Sequence, residues 1–215
     1  MIGDRLVITD YHRAAARRIY DHVAGLEPDG PMGVSVSGES GCGKSETAHC
    51  LKELLEAGGK RCLILGQDDY FHLPPRSNHE RRLEQFDWIG PGEVRLDLLD
   101  EHVAMLKSGS GERLTKPLVY FEENRIGEEI LPAGPYDAVI VEGTYTAMLE
   151  NLDVRAFIDR NYRQTKKARL RRARDPDLDF LEKVLEKEHG IISAHKARAD
   201  VIIDPPPEEV QAQSS

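Results

Sequence analysis

The chain has 215 residues, 40% of them hydrophobic, enough for one well-buried core and too few for two full-sized domains with linkers. Its formal charge of −9, from 38 acidic against 29 basic side chains, argues against nucleic acid or an anionic membrane as the main partner, since either would repel the chain as a whole. No stretch reaches the roughly 20 apolar residues that span a bilayer, the first residues lack a basic-then-apolar leader, and three cysteines (Cys42, Cys50, Cys62) without C-x-x-C spacing suggest neither a disulfide framework nor a zinc site.

A cytoplasmic protein with reduced, mostly buried thiols is expected, with no nucleic acid and no membrane among its partners. Tyr11 to Leu26 places Ala14, Ala15, Ile19, Val23 and Leu26 at helical spacing, and Pro28-Asp29-Gly30-Pro31 breaks the chain before a first strand at Gly33 to Ser37. Directly after that strand, Gly38 to Ser45 reads G-E-S-G-C-G-K-S, a full match to the G-x-x-x-x-G-K-[ST] phosphate loop. A strand that runs into a glycine loop and then a helix aims several backbone N–H groups at one point, where the helix dipole already favours an anion. Gly38, Gly41 and Gly43 permit backbone paths that a Cβ would forbid, Lys44 can reach the β- and γ-phosphates, and the Ser45 hydroxyl can ligate Mg²⁺. Glu39, Ser40, Cys42 and Glu46 complete the expected nucleotide-binding set. The motif implies a nucleoside triphosphate, ATP or GTP, bound with Mg²⁺.

Lys44 to Glu56 reads as a helix closed by Gly58-Gly59, and Arg61 to Gly66 as a buried strand. Asp68 and Asp69 follow that strand, so their carboxylates should emerge at the sheet edge near the γ-phosphate, where one can accept the proton of an attacking hydroxyl. Asp at such a place also caps turns. A further helix spans about Glu93 to Lys107, with Val94, Leu98, Leu99, His102, Val103 and Leu106 on one face. Arg113 to Ile130 suits a small hairpin, whereas Asp137 to Glu142, Val154 to Asp159 and Asp200 to Asp204 read as core strands. Glu142 occupies the strand end where a carboxylate holds Mg²⁺ directly or through water. Arg163 to Arg174 reads R-Q-T-K-K-A-R-L-R-R-A-R. A charge run is commonly a solvated helix face, but in an acidic chain one concentrated basic helix after the fourth strand is the expected lid over the phosphates.

Five apolar strands interleaved with helices imply an α/β, three-layer fold in which a parallel sheet is covered on both faces and ligands bind at the carboxyl ends of its strands. The expected organisation is one domain: an N-terminal helix and linker over about 1–31, a lid over about 160–180, a small acceptor-site hairpin, and a disordered tail over 205–215.

The order of these parts resembles the uridine kinase and phosphoribulokinase group of P-loop kinases, from Gly33 to Asp204. The residues that carry the resemblance are Gly38 to Ser45, Q-D-D-Y-F at Gln67 to Phe71, Phe86-Asp87, P-L-V-Y-F at Pro117 to Phe121, V-I-V-E-G at Val139 to Gly143, L-R-R-A-R-D at Leu170 to Asp175 and A-D-V-I-I at Ala199 to Ile203. The resemblance implies a P-loop NTPase fold and transfer of the γ-phosphate of ATP to a small-molecule hydroxyl, most simply that of a nucleoside. It implies that Asp68 is the base and a metal neighbour, and that Arg171 and Arg174 contact phosphates. Asp87 would hold sugar hydroxyls, with Asp69, Tyr70, Tyr120 and Arg125 around the acceptor. Uridine kinases follow Phe-Asp with His-Pro and place a histidine after the pocket tyrosine. This chain has Trp88-Ile89-Gly90-Pro91 and a histidine-free Phe121 to Arg125, so a sugar phosphate or a pantothenate-like alcohol stands beside a nucleoside as acceptor. The phosphate loop also looks like that of ABC transporter ATPases, which would make the chain an ATPase module of a transport or remodelling system. No L-S-G-G-Q follows, however, and the third strand ends in Glu142-Gly143, which favours the kinase. A homo-oligomer is left open, because no apolar stripe remains once the helices cover the sheet.

Overall fold

The apolar runs become a parallel sheet in the computed structural model, which describes residues 6–109, 113–132, 134–166, 169 and 178–206. In chain order the strands are β1 (Met32–Gly38), β2 (Cys62–Gly66), β3 (Leu114–Tyr120), β4 (Arg125–Leu131), β5 (Ala138–Gly143), β6 (Val154–Ile158) and β7 (Val201–Ile203). Five of them form one sheet in the order β2-β5-β1-β6-β7, with every pairing parallel. Register sets the carboxyl ends level: Ser37 lies opposite Gly143, Gly66 opposite Glu142, and Gly38 opposite Ile158. The phosphate loop, the Gln67 turn and the Glu142 strand end therefore leave the sheet side by side. This is where an open α/β sheet collects its ligands.

Alternation along the strands feeds two cores. Val34, Val36 and Ile140 face α1 (Asp10–Val23) and α2 (Lys44–Ala57), meeting Ala15, Ile19 and Leu51. Val139, Val141 and Phe157 face the other way, against Leu99 and Val103 of α4 (Leu96–Lys107) and Ile192 of α5 (Leu178–Ile192). All three cysteines are free and buried. Among the described residues no helix is long and apolar enough to cross a membrane.

The element boundaries differ from the sequence expectation for local reasons. The first helix stops at Val23 and leaves Leu26 exposed. The helix expected from Glu93 begins at Leu96, because Pro91–Glu93 forms a 3₁₀ turn in which Glu93 Oε1 accepts from the Gly90 N–H at 2.8 Å. Two helices had no sequence signal that was read: α5, and α3 (Pro75–Glu84), whose segment P-R-S-N-H-E-R-R-L-E buries only Asn78. Residues 207–215 of the expected tail lie outside the described residues, as do Arg171 and Arg174 of the expected lid.

The hairpin β3–β4 pairs antiparallel, Leu114 to Leu131 through Tyr120 to Arg125, and extends one residue past the expected Ile130. It is tied to the end of β2 by Asp69. That carboxylate accepts from Lys116 Nζ at 2.7 Å and from the Val119 N–H at 3.0 Å, and Glu129 adds a second carboxylate 3.0 Å from the same ammonium. Asp69 is 3% exposed and Lys116 4%, so removing Asp69 leaves the buried ammonium with half-exposed Glu129 for its counter-charge and the Val119 N–H without its acceptor, at a cost of about 3 kcal/mol. Asp69→Ala is expected to lower unfolding stability by about that amount in urea titrations; a loss within about 0.5 kcal/mol, the scale of an ordinary surface substitution, would contradict the anchoring role.

Candidate functional site

The phosphate loop joins the last residue of β1 to the first turn of α2. Gly38, at φ +147°, has no room for a side chain: a Cβ there would lie 2.8 Å from both Cys42 Sγ and the Ile158 carbonyl oxygen. Gly43, at φ +101°, is similarly closed, with a Cβ meeting His12 Nε2 at 2.6 Å. The α1 helix is thus packed directly against the loop. Lys44 Nζ donates to the Glu39 carbonyl at 2.9 Å, which folds the ammonium back over the loop. Cys42 is fully buried and burial pushes its thiol pKa up, so it stays protonated and contributes backbone alone. Glu46 is also buried.

Gln67, fully buried, brings this edge of the sheet together. Its Nε2 donates to Thr144 Oγ1 at 2.9 Å and its Oε1 accepts from the Tyr145 N–H at 2.7 Å, binding the end of β2 to the end of β5. Gly143 permits this closeness, since a Cβ there would sit 2.3 Å from the Gln67 Cβ. Asp68, the next residue, is exposed at the sheet edge. Ser45 Oγ donates to Glu142 Oε2 at 3.2 Å. Burial raises the Glu142 pKa from its ordinary value to about 7, and the negative charge of Asp68 adds to the rise, while Lys44 and the Ser45 hydrogen bond oppose it. The structure thus brings Lys44, Ser45, Asp68 and Glu142 to one spot. Hard oxygens from a hydroxyl and two carboxylates suit Mg²⁺, which keeps several waters and shares its ligands with substrate phosphates. The described residues contain no group of three or more His, Cys, Asp or Glu that could hold a metal by themselves.

The expected acceptor residues divide. Asp69 and Tyr70 are corrected: Asp69 is the buried hairpin anchor, and Tyr70 is 0% exposed in the second core with its hydroxyl 2.9 Å from His102 Nδ1. A 3₁₀ turn over Gln67–Tyr70 rotates successive residues apart, so Asp68 emerges while both successors turn inward. Asp87 stays accessible, its side chain 96% exposed, and pairs with Lys187 Nζ at 3.1 Å. Tyr120 and Arg125 stack across the hairpin, the guanidinium carbon 3.8 Å from the ring centroid, and Arg125 also pairs with Glu123 at 2.9 Å.

The Glu39 side chain does not face the loop's mouth. It accepts from the Tyr162 N–H at 2.7 Å, and its other oxygen lies 2.6 Å from His189 Nδ1. Thr165 Oγ1 donates to the Ser40 carbonyl at 3.0 Å, and Arg169 packs where a Gly41 Cβ would point. Of the expected lid arginines, Arg171 and Arg174 lie outside the described residues, so the cation seen against the loop is Arg169. It sits within the basic run that signalled a lid. His189 and its neighbours Lys187 and Glu188 belong to a segment without a motif.

The fold agrees with the comparisons. The Phosphoribulokinase / Uridine kinase family matches residues 34–172. A uridine kinase of Bacillus cereus is 30% identical, over 80% of this chain and 85% of that protein. A bifunctional alpha-galactosidase/sucrose kinase of Mediterraneibacter gnavus is 25% identical over 79% of this chain, which spans only 20% of that larger protein. Phosphoribulokinase from Rhodobacter spheroides superposes with a TM-score of 0.62 over 81% of this chain and 70% of its own, at 13% identity, a likeness of fold alone. With its phosphate loop, Gln67-Asp68 turn and Glu142-Gly143 strand end all inside the matched span, the chain belongs to the phosphoribulokinase and uridine kinase family.

Proposed function

We propose that this protein is an ATP-dependent kinase that moves the γ-phosphate of ATP to a hydroxyl of a small molecule, with a nucleoside as the first acceptor class. The observation that carries the reading is the convergence of Ser45, Glu142 and Asp68 at the mouth of the phosphate loop, with the Ser45–Glu142 contact at 3.2 Å. Two carboxylates close enough to raise one pKa are costly unless a cation or a proton joins them. Ser45 and Glu142 would hold Mg²⁺, which when bound offsets charge on the phosphate oxygens.

In the transfer, the acceptor oxygen forms a bond to the γ-phosphorus as the bond to the bridging β,γ-oxygen breaks, and ADP leaves with that electron pair. Asp68 receives the hydroxyl proton. Lys44 leaves the Glu39 carbonyl and follows the charge of the moving group, with the lid cations as its partners. Family membership and the 30% identical uridine kinase support a nucleoside acceptor. Phe121 to Arg125, where uridine kinases place the histidine that reads the base, holds none, and the Trp88 Nε1–H is committed to Asn78 Oδ1 at 2.9 Å, so base recognition here would use other groups.

ATP-dependent ADP release, measured across nucleosides, sugars, phosphorylated sugars and pantothenate, tests the reading. Release stimulated by a nucleoside is expected; release stimulated by none of them sinks the kinase. Lys44→Ala should abolish transfer with the fold retained, and Asp68→Asn should lower kcat by about a hundredfold or more, the scale of lost general-base help. Full activity in either variant removes that residue's role.

Glu142 gives a pH signature of its own. The folded protein holds the Glu142 proton more tightly than the unfolded chain does, so in chelator the group subtracts stability as pH rises from about 4.5 through about 7. Glu142→Gln is expected to flatten that decline in thermal unfolding profiles and to raise the midpoint at pH 8. Parallel profiles for the two proteins would refute the assignment.

A further inference from the structure

Three consecutive residues near the end of α5 touch both halves of the site. Lys187 Nζ donates to the Phe86 carbonyl at 2.8 Å and to Asp87 Oδ1 at 3.1 Å. Glu188 Oε1 accepts from Arg82 Nη2 at 3.1 Å. His189 Nδ1 lies 2.6 Å from Glu39 Oε1 in the phosphate loop. At about 100° per residue, three successive side chains sweep more than half of a helix's circumference. The helix therefore stands as a post between the donor loop on one side and the Phe86–Asp87 turn on the other.

On the acceptor side the contacts end in a rigid frame. Glu93, 0% exposed, accepts from Arg82 Nε at 2.6 Å, Arg82 Nη2 at 3.0 Å, Asn78 Nδ2 at 2.6 Å and the Gly90 N–H at 2.8 Å. Such a buried carboxylate is tolerated because its lone pairs are filled. Asn78 in turn accepts from Trp88 Nε1. A displacement of Glu188 is transmitted through Arg82 and Glu93 to Asn78 and Trp88. On the donor side, Glu39 is also bonded to the Tyr162 N–H, at the entry to the basic segment, and Tyr162 packs its ring against His189 at 5.7 Å between centroids. Lys44, the loop's own cation, is among the charges Glu188 feels. When phosphates draw Lys44 away from the Glu39 carbonyl, they act on the residue that His189 grips.

Building on the kinase reading above, we infer that Glu188 and His189 are positioning residues that couple the two substrate sites, so that nucleotide in the phosphate loop reorganises the acceptor frame through α5. The chain provides its own reporter. Trp88 is the single tryptophan, it sits in the acceptor frame, and it is joined to α5 through Asn78, Glu93 and Arg82 and through its chain neighbours Phe86 and Asp87.

The experiment is a titration of the whole protein with Mg²⁺–ADP, following Trp88 emission and, in parallel, the heat of binding. In the native sequence the emission is expected to change with the same midpoint as the heat. In Glu188→Gln and in His189→Ala, heat should still report binding while the Trp88 response shrinks at least about fivefold, the lower end of ordinary site-to-site coupling. His189→Asn, whose amide nitrogen overlies Nδ1, should restore the response. Retained cooperative melting in each variant separates loss of coupling from loss of fold. An unchanged Trp88 response in both variants, or native binding heat without any Trp88 response, overturns the coupling and leaves the kinase reading standing. Absence of binding heat in the native protein overturns both.

Discussion

The side-chain amide of Gln67 spans two strand ends, and the rest of the site depends on that span. Parallel strands are held to each other by slanted backbone bonds that stop at the sheet edge, so nothing in the ladder itself fixes the directions in which the loops leave. Gln67 supplies the missing constraint with one donor and one acceptor, to Thr144 and Tyr145, on the first two residues after β5. Because Gly143 carries no Cβ, the two chains close to a distance that any other residue would block. Asp68 and Glu142, each adjacent to one side of this bridge, are therefore set against Ser45 by backbone that has little freedom. Burial first, and then the negative charge of Asp68, raises the Glu142 pKa in this closed setting.

A different device holds the acceptor half. Its elements are a two-stranded hairpin, the polar helix α3 and short 3₁₀ turns, and they own little apolar surface of their own. Two buried carboxylates do what a core would otherwise do. Asp69 fastens the hairpin through Lys116 and the Val119 N–H, while Glu93 gathers α3 and the Gly90 turn through Arg82, Asn78 and a backbone N–H. Ion pairs of this kind specify one arrangement more than they add stability, because desolvation offsets much of the attraction.

Legibility in the sequence followed the same division. The phosphate loop, the five core strands and the placement of Asp68 and Glu142 at strand ends were readable because apolar periodicity and glycine spacing are local signals. The inward turn of Asp69 and Tyr70 was not, since two adjacent aspartates in a 3₁₀ turn look alike until Lys116, 47 positions away, selects one of them. The α3 segment escaped because it lacks an apolar face, with Asn78 its only buried residue. His189 and Glu188 carry no motif, and their roles exist only through partners at Glu39 and Arg82, 150 and 106 positions distant.

That division also explains what resemblance can carry. Donor chemistry is written in backbone amides, glycines and strand ends, where substitutions are blocked sterically, as at Gly38 with two atoms at 2.8 Å from a would-be Cβ. The family is shared at 30% identity and the fold at 13%. Trp88, Tyr120, Arg125 and Asp87 are partly or fully exposed side chains on elements outside the main sheet, where replacement costs little stability. The sterically closed positions of the phosphate loop are therefore constrained far more tightly than the exposed side chains outside the sheet. The α5 post joins the two regimes, since it binds both the sterically closed loop through Glu39 and the frame through Arg82 and Asp87. An acceptor side that drifts in sequence can keep its register with the donor loop only while those contacts on α5 remain.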